Sequence, residues 1–418
     1  MGEAGQQSAP GWLRALRGAR VVAGTPADAT DITHDSRRVH DGSIFVAIPG
    51  ASADGNSFIP AAIAGGARSI IVQNDRRASW VSLIGADAAF VAVPDARVAL
   101  AEAAAALYGE PARSLGMVGV TGTDGKTTTT HLIAHVLGSS GRRAGYLSSV
   151  EFSDGQSNEL NASHMTTLEA SDVQRQLRRS ADAGAPYVVV EASSIGLELH
   201  RVDGCEFDVA VFTNLTPDHL DFHGNMESYL ASKAKLFSML AASPDKGLPK
   251  AAVLNAGDLA SETMRAAAGT VPTITYGLRD ADIAARDMAP DATGMRFRVR
   301  MRDQEVGGHT RLLGEYNVAN CLAAVAVAVS QGAGFADAVT ALESFPGVPG
   351  RMERIDEGQP YRVIVDIAST EPAMRNVLRA LRPSTSGKLI VVFGAAGERD
   401  AGRRSGIASA VAESADFA

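Results

Sequence analysis

Cysteine is scarce in this chain: only Cys205 and Cys321 occur, far apart and in no metal-binding spacing. That excludes a disulfide framework and a cysteine-based zinc site, and it fits a reducing compartment. Positive charge is short as well. The formal net charge is -8, so no global positive field is available to hold nucleic acid or an acidic membrane surface. A small anionic substrate must then be met by local donors. No apolar run reaches the ~18 residues that a membrane helix needs. The first residues, MGEAGQQSAPGWLRALRG, lack the apolar stretch of a signal peptide, and Gln6 breaks the myristoylation pattern. The expectation is a soluble, cytoplasmic protein, with no nucleic-acid partner and no membrane insertion. Internal repeats and low-complexity tails are missing too.

What is present is an alternation of short β-branched runs with Ala-rich helical stretches, the rhythm of parallel α/β domains. With 418 residues, 45% of them apolar, the chain is long enough for two or three domains with separate cores. A first unit, 1–112, contains strand-like IFVAIPG, SIIVQ and FVAV and the helix-like VALAEAAAALYG; it ends where GEPARS breaks the helix at Pro111. A second unit, 113–345, opens with GMVGV and carries further strands at YVVVE, DVAVFTN, KAAVLN and TITYG. FPGVPGR marks the next boundary. Residues 346–418 read as strand (YRVIVD), helix (PAMRNVLRAL), strand (KLIVVFG) and helix (RSGIASAVAESA), with Asp416-Phe417-Ala418 resembling the start of another strand. Two parallel strands and two helices bury too little to stand alone, so the expectation is a third domain that the chain holds only in part.

The strongest chemical signal is VGVTGTDGKTTTTHLIAHVL, a strand entering a Gly-rich turn and then a helix. Backbone N–H groups of such a turn, at a helix N-terminus, form an anion site suited to phosphate. Lys126 would reach the terminal phosphates and the Thr127 hydroxyl would ligate Mg²⁺. The common spacing wants glycine at 120; this chain has Val120, with Gly122 and Gly125 supplying the flexibility. The alternative is a glycine-rich turn without a ligand, and the strand before, the helix after and Lys-Thr in place argue against it.

TGTDGKTTT in place of GxxxxGKT resembles the ATP loop of the Mur ligases and the folylpolyglutamate synthetases, whose usual form has Asn where Asp124 sits. Other stretches agree in order with the Mur branch that adds the third amino acid of the peptidoglycan stem. They are DSRRVHDGSIFVAIPGASADGNSFIPAAIAGGARSIIV, VVVEASSIGLELHRVDGCEFDVAVFTNLTPDHLDFHGNMESYLASKAKLF, GEYNVANCLAA, PGRMER and FGAAGERDAGRRSG. The resemblance covers nearly the whole chain. It implies an α/β, three-domain Mur ligase architecture: an N-terminal UDP-binding domain, a central P-loop parallel-sheet ATPase domain and a truncated, Rossmann-like C-terminal domain for the incoming amino acid. The implied reaction joins a diamino acid to UDP-N-acetylmuramoyl-dipeptide, with ATP and Mg²⁺ and through an acyl phosphate, in a chain acting as a monomer.

That chemistry explains the residue types. A carboxylate and an amine join only when hydroxide is replaced by a better leaving group, and the phosphoryl transfer that supplies one crowds anions together. Cations and positioned N–H donors must therefore surround them. Glu191, ending the apolar strand YVVVE, is placed to hold Mg²⁺ at the carboxyl end of a parallel sheet. The resemblance implies a second metal-facing residue in His219 and a carbamylated Lys233. A lysine deprotonated by burial takes up CO₂ and becomes an anion. Taken alone, Glu191 and His219 read as solvated or capping residues, and Lys233, with Lys235 two positions on, as an exposed helix lysine.

By the same resemblance, Gly122, Thr123, Asp124, Gly125, Lys126, Thr127 and Thr128 cradle ATP. Asn317, Asn320 and Arg351 are further ATP-side positions, and Asp366 is a ribose-side acid. Asp35, Ser36 and the turn Ala51, Ser52 and Ala53 would contact the uridine diphosphate. Thr166, Thr167, Ser193 and Arg201 would grip the muramoyl-peptide; hydroxyls and one arginine suit oxygen-rich anionic groups. Arg399 would meet the carboxylate of the incoming amino acid. The pattern departs from the family at Met165, at Ile195 and along Asp366-Ile367-Ala368-Ser369-Thr370-Glu371, where the family has Asp-Tyr-Ala-His-Thr-Pro. An alternative is thus a Mur-ligase-like protein that holds the UDP precursor or ATP without ligation. A different P-loop enzyme, such as a small-molecule kinase, has no need of the N-terminal uridine module.

Overall fold

The computed structural model describes residues 9–50, 53–85, 87–163, 165–291, 293–394 and 401–418. These fall into two compact units. The first comprises residues 1–114, 168–182 and 196–205; the second comprises 115–167, 183–195 and 206–418.

The first unit is built on a five-stranded sheet in the spatial order Arg20–Ala23, Ala89–Val93, Ser69–Gln73, Ser43–Val46, Asp31–Thr33. All neighbours are parallel except the first pair. The apolar runs of the sequence become strands covered on both faces, as parallel strands require. Side chains alternate between the faces. Ile44, Val46, Ile71 and Val91 join Trp12 and Leu100 on one side, while Phe45, Ile70, Val72 and Phe90 join Trp80 on the other. The helix Ala96–Leu107, N-capped by the Asp95 carboxylate, covers the first face. A helix from the middle of the chain, Ala170–Asp182, completes the unit. Arg175 Nη2 and Tyr108 Oη both donate to Asp31 Oδ1, at 2.9 and 2.6 Å. Arg38 holds both carboxylate oxygens of Asp172, at 2.9 and 2.7 Å.

The second unit carries an eleven-stranded sheet. Its seven-strand parallel centre runs Ile283–Pro290, Thr273–Gly277, Ala251–Asn255, Val209–Phe212, Gly116–Thr121, Tyr187–Glu191, Ala144–Leu147. Antiparallel strands extend both edges: Met295–Met301 with Gln304–Thr310, and Glu151–Ser153 with Asn158–Leu160. Gly116–Thr121 is central, so its carboxyl end opens between the ends of Tyr187–Glu191 and Val209–Phe212. Helix Lys126–Ser139 leaves from that end and packs against the buried, Ala- and Val-rich helix Glu315–Ser330. Opposite, at the amino end of the sheet, Lys246 Nζ pairs with the Asp208 carboxylate at 2.8 Å and donates to the carbonyls of Leu115 and Glu206. Asp208 also accepts the Met117 amide at 2.7 Å.

Toward the C-terminus, Glu353–Ile355 pairs antiparallel with Val363–Val365. Helices Glu371–Leu381 and Ala401–Ser414 pack through Met374, Leu378, Leu381, Ile407 and Val411. The expected strand KLIVVFG is corrected here. It makes one parallel bridge, Ile390 to Phe417, and Val392 stands 96% exposed, because no described neighbour offers it a ladder. No helix among the described residues is long and apolar enough to cross a membrane.

Candidate active site

The turn between Thr121 and Lys126 is shaped by its two glycines. Gly122 has φ +149°, and a Cβ there would lie 1.8 Å from Thr213 Oγ1. Gly125 has φ +82°, and its Cβ would lie 2.6 Å from Asn320 Oδ1. Neither position admits a side chain. The loop is braced by residues that the sequence reading did not single out. Asn214 Oδ1 accepts the Asp124 amide at 2.9 Å, and the Asp124 carbonyl accepts from Thr213 Oγ1 and Asn214 Nδ2 at 2.7 and 3.0 Å. Thr123 Oγ1 lies 3.1 Å from Tyr229 Oη and accepts the Thr216 amide at 3.0 Å. Thr213 and Asn214 follow the adjacent strand, so the parallel order of the sheet brings them here.

Two amines converge on this turn. Lys126 Nζ donates to the carbonyls of Gly122 and Thr123, at 3.1 and 2.8 Å. Lys233 Nζ donates to the same Gly122 carbonyl at 2.7 Å and lies 4.3 Å from the centre of the Tyr229 ring. The exposed-lysine reading of Lys233 is corrected: the residue is 1% exposed, inside helix Met226–Ala242. Burial, reinforced by the charge of Lys126, drives the Lys233 amine well below the ordinary lysine value. Burial also lowers Lys126.

Glu191 is fully buried at the end of its strand, and both of its oxygens are engaged by Ser149, the amide at 2.9 Å and the hydroxyl at 3.0 Å. Its carbonyl accepts from Thr167 Oγ1 at 2.8 Å, and that hydroxyl accepts the Ser193 amide at 2.9 Å. Three residues expected at the site, Glu191, Thr167 and Ser193, thus form one connected group; Thr166 lies beside it in sequence. Thr127 and Thr128 are buried in the first turn of the helix, and Thr127 Oγ1 accepts from Arg351 Nη2 at 3.2 Å. Asn320 Nδ2 donates to Asn317 Oδ1 at 3.1 Å, and Asn320 Oδ1 accepts from Thr129 Oγ1 at 3.2 Å, so these amides tie helix Glu315–Ser330 to the loop helix. The Asp366 carboxylate accepts the Met352 amide at 2.7 Å, and burial raises its pKa. Its neighbour Ile367, one of the departures, is 51% exposed.

His219 stands at the N-cap position of the short helix Leu220–His223 with φ +52° and without a capping side-chain hydrogen bond, and its Nε2 lies 3.3 Å from Asp218 Oδ2. His223, not singled out by sequence, lies 3.0 Å from Ser194 Oγ through Nε2. Among the described residues no cluster of three or more His, Cys, Asp or Glu side chains forms a ready cage for a metal. Glu191 and Thr127 are hard oxygen donors, and Mg²⁺ is ordinarily held by one or two such groups together with phosphates; this donor set fits it.

In the first unit, the Asp35 carboxylate is closed on Arg37, accepting from its amide, Nε and Nη2 at 3.0, 2.9 and 2.7 Å, and the guanidinium holds its pKa down to about 2. Ser36 opens the short helical turn that Asp35 caps. The Ala53 carbonyl accepts the Gly50 amide at 3.0 Å. Arg201 Nη2 pairs with Glu169 Oε1 at 2.7 Å, and burial lowers its pKa. Ala51, Ser52 and Arg399 lie outside the described residues.

Known proteins match along the same lines. A family model described as "Mur ligase middle domain" matches residues 120–328, one described as "Mur ligase, glutamate ligase domain" matches 350–418, and one described as "Mur ligase family, catalytic domain" matches 28–108. The UDP-N-acetylmuramyl-tripeptide synthetase of Roseiflexus sp. (strain RS-1) is 43% identical over 381 residues, 89% of this chain and 74% of that protein. The UDP-N-acetylmuramoyl-L-alanyl-D-glutamate--2,6-diaminopimelate ligase of Geobacillus kaustophilus is 38% identical over 407 residues, 97% of this chain and 81% of that protein. A solved structure of a UDP-N-acetylmuramoyl-L-alanyl-D-glutamate--2,6-diaminopimelate ligase superposes with a TM-score of 0.73 at 30% identity, covering 97% of this chain and 81% of that one.

Proposed function

Because the chain belongs to the Mur ligase family, we propose that it adds the third amino acid, a diamino acid, to UDP-N-acetylmuramoyl-L-alanyl-D-glutamate in peptidoglycan synthesis. The observation that carries this is the gathering of Lys126, Glu191 and the buried amine of Lys233 at the carboxyl edge of one parallel sheet, in a chain similar to tripeptide synthetases over most of its length. It is an ATP-dependent ligase. The γ-phosphoryl of ATP moves to the substrate carboxylate as ADP leaves; the amine then attacks the acyl phosphate, the amide bond forms and phosphate departs.

The roles proposed for its residues are those that the family resemblance implies. Loop amides from Gly122 to Thr128 and the Lys126 ammonium meet the phosphates, where transferring charge is most in need of fixed donors. Arg351, Asn317, Asn320 and Asp366 complete the nucleotide side. Thr127 and Glu191, with His219 and Lys233, are the residues that would hold Mg²⁺, which would supply positive charge to offset that of the phosphates. Lys233 would serve that purpose as a carbamate, since burial lowers the pKa of its amine and so favours the uncharged form that takes up CO₂. Thr166, Thr167, Ser193 and Arg201 grip the muramoyl-peptide; Asp35, Ser36 and the turn Ala51, Ser52 and Ala53 meet the uridine diphosphate; Arg399 receives the carboxylate of the amino acid. We read 1–112 as the UDP-binding part, 113–345 as the ATP-binding part and 346–418 as the amino-acid-binding part of a cytoplasmic enzyme acting as a monomer.

The test is release of phosphate from ATP, which is expected only with UDP-N-acetylmuramoyl-dipeptide and a diamino acid both present. Equal release without the peptide precursor refutes the reading. Lys126→Ala is expected to lower kcat by about a hundredfold or more, the loss seen when a donor aimed at developing charge is removed.

A further inference from the structure

Glu169 stands where the chain enters the helix Ala170–Asp182. Its carbonyl accepts the amides of Asp172 and Val173, each at 2.9 Å, so its backbone is set by the helix start. Its side chain is 12% exposed. One oxygen, Oε1, accepts from Arg201 Nη2 at 2.7 Å, and the other, Oε2, lies 4.0 Å from Arg97 Nη1. Each arginine is itself anchored in a fixed stretch of backbone. Arg97 is in the first turn of helix Ala96–Leu107, its amide capped by Asp95, and the Arg201 amide donates to the Gly196 carbonyl at 2.9 Å. Two guanidinium groups therefore share one carboxylate, a trio with a net charge of about +1 at neutral pH.

A guanidinium offers a planar fork of donors, and its value for a carboxylate or phosphate depends on which edge faces the ligand. The short bond to Glu169 occupies one edge of Arg201 and sets the plane of the group. Without it, Arg201 would face Arg97, a like charge, and would lose the bond to Glu169 that fixes this edge of its guanidinium. We propose that Glu169 is a positioning residue that acts through Arg201, orienting its guanidinium toward the anionic muramoyl-peptide while Arg97 keeps the trio cationic. This rests on the substrate-binding role given to Arg201 above.

Steady-state kinetics of the full chain separate positioning from mere structure. Glu169→Ala is expected to raise KM for UDP-N-acetylmuramoyl-dipeptide about tenfold, the effect of one charge-assisted hydrogen bond, with KM for ATP unchanged and kcat within about twofold. Glu169→Asp should recover most of that loss. In an Arg201→Ala background, Glu169→Ala should add nothing further, since a residue that acts through another has no effect once the other is gone. Glu169→Gln, of the same shape, supplies the same readout if the alanine variant fails to fold. The proposal is overturned if the losses add in the double variant, if KM for ATP rises in step, or if an active enzyme is indifferent to the change. Wild-type protein with no affinity for the UDP-peptide refutes the functional reading itself, and this proposal with it.

Discussion

Replacing Lys233 by methionine is expected to make the protein more stable while abolishing its turnover. The residue is 1% exposed, and its amine has one hydrogen bond, to the Gly122 carbonyl, and the face of the Tyr229 ring. Lys126 competes for the same carbonyl. Removing an ammonium from water costs several kcal/mol. The charged hydrogen bond offsets about 2 kcal/mol of this and the ring face about another 1–2. Methionine fills a similar volume without a charge, so a net gain of about 1–3 kcal/mol is expected, the range found when buried ionic groups give way to apolar ones. For a folding unit of roughly 280 residues, that raises Tm by about 2–5 °C. The effect has a sign in pH. The unfolded lysine keeps its ordinary value of 10.5, while the folded one titrates well below it. Between the two the unfolded chain carries the extra proton, so wild-type stability rises with pH across that window and the Lys233→Met variant lacks this rise. The free amine populated in the same window is the form that takes up CO₂. Bicarbonate should therefore stabilise the wild type, by binding linkage, and leave the variant unmoved. Thermal unfolding in CO₂-free and bicarbonate buffers measures both effects, and ¹³C-bicarbonate labelling read by NMR reports the carbamate directly. A destabilised variant together with a wild type indifferent to bicarbonate would refute the reasoning and make Lys233 a satisfied buried cation.

Gly122→Ala is expected to weaken ATP binding and to destabilise the second unit by about 1–3 kcal/mol, because the new Cβ meets Thr213 Oγ1 at 1.8 Å in a backbone at φ +149°; unchanged affinity by calorimetry would show that the loop relocates freely. Asp208→Ala leaves the Lys246 amine buried without its carboxylate, and urea unfolding should show a loss of about 3–5 kcal/mol. Asp208→Leu combined with Lys246→Met should restore most of it, and a double variant as unstable as the single one would contradict the pairing.

The parallel α/β character and the phosphate loop were legible because both leave local marks: apolar runs of strand length, and a Gly-rich turn followed by Lys-Thr. Val120 in place of the usual glycine did not obscure it, since the bends are made at Gly122 and Gly125. Glu191 was readable as a strand end. Its partner Ser149 was not, because the contact depends on which strands lie side by side. Thr213 and Asn214 were missed for the same reason, since sheet order delivers them to the loop, and Tyr229 because the packing of helix Met226–Ala242, likewise a long-range property, brings it there. Lys233 shows the limit most clearly. Local sequence placed a helix there but could not say which face is buried, and a second lysine two positions on pointed toward solvent. Residues 390–394 failed in the other direction. Their composition suits a strand, but a strand needs a neighbour, and a single bridge at Ile390 is all that forms.

The make-up of the first unit has a consequence for how the chain comes into being. That unit takes residues 168–182 and 196–205 from beyond the loop helix and Tyr187–Glu191. A ribosome delivers the chain from its N-terminus at a finite rate, and domains begin to fold as they emerge. Here the last strand of the first sheet, Ala89–Val93, is made well before helix Ala170–Asp182 and the Arg201 turn, and in the interval the Asp31 carboxylate and Tyr108 wait without Arg175. The first unit is thus completed only after the opening part of the second has been made. A gene fragment ending at Ser114 would encode a covered sheet whose helix Ala96–Leu107 lacks its partner Ala170–Asp182, and shuffling these modules between relatives would require three exchanged segments rather than one.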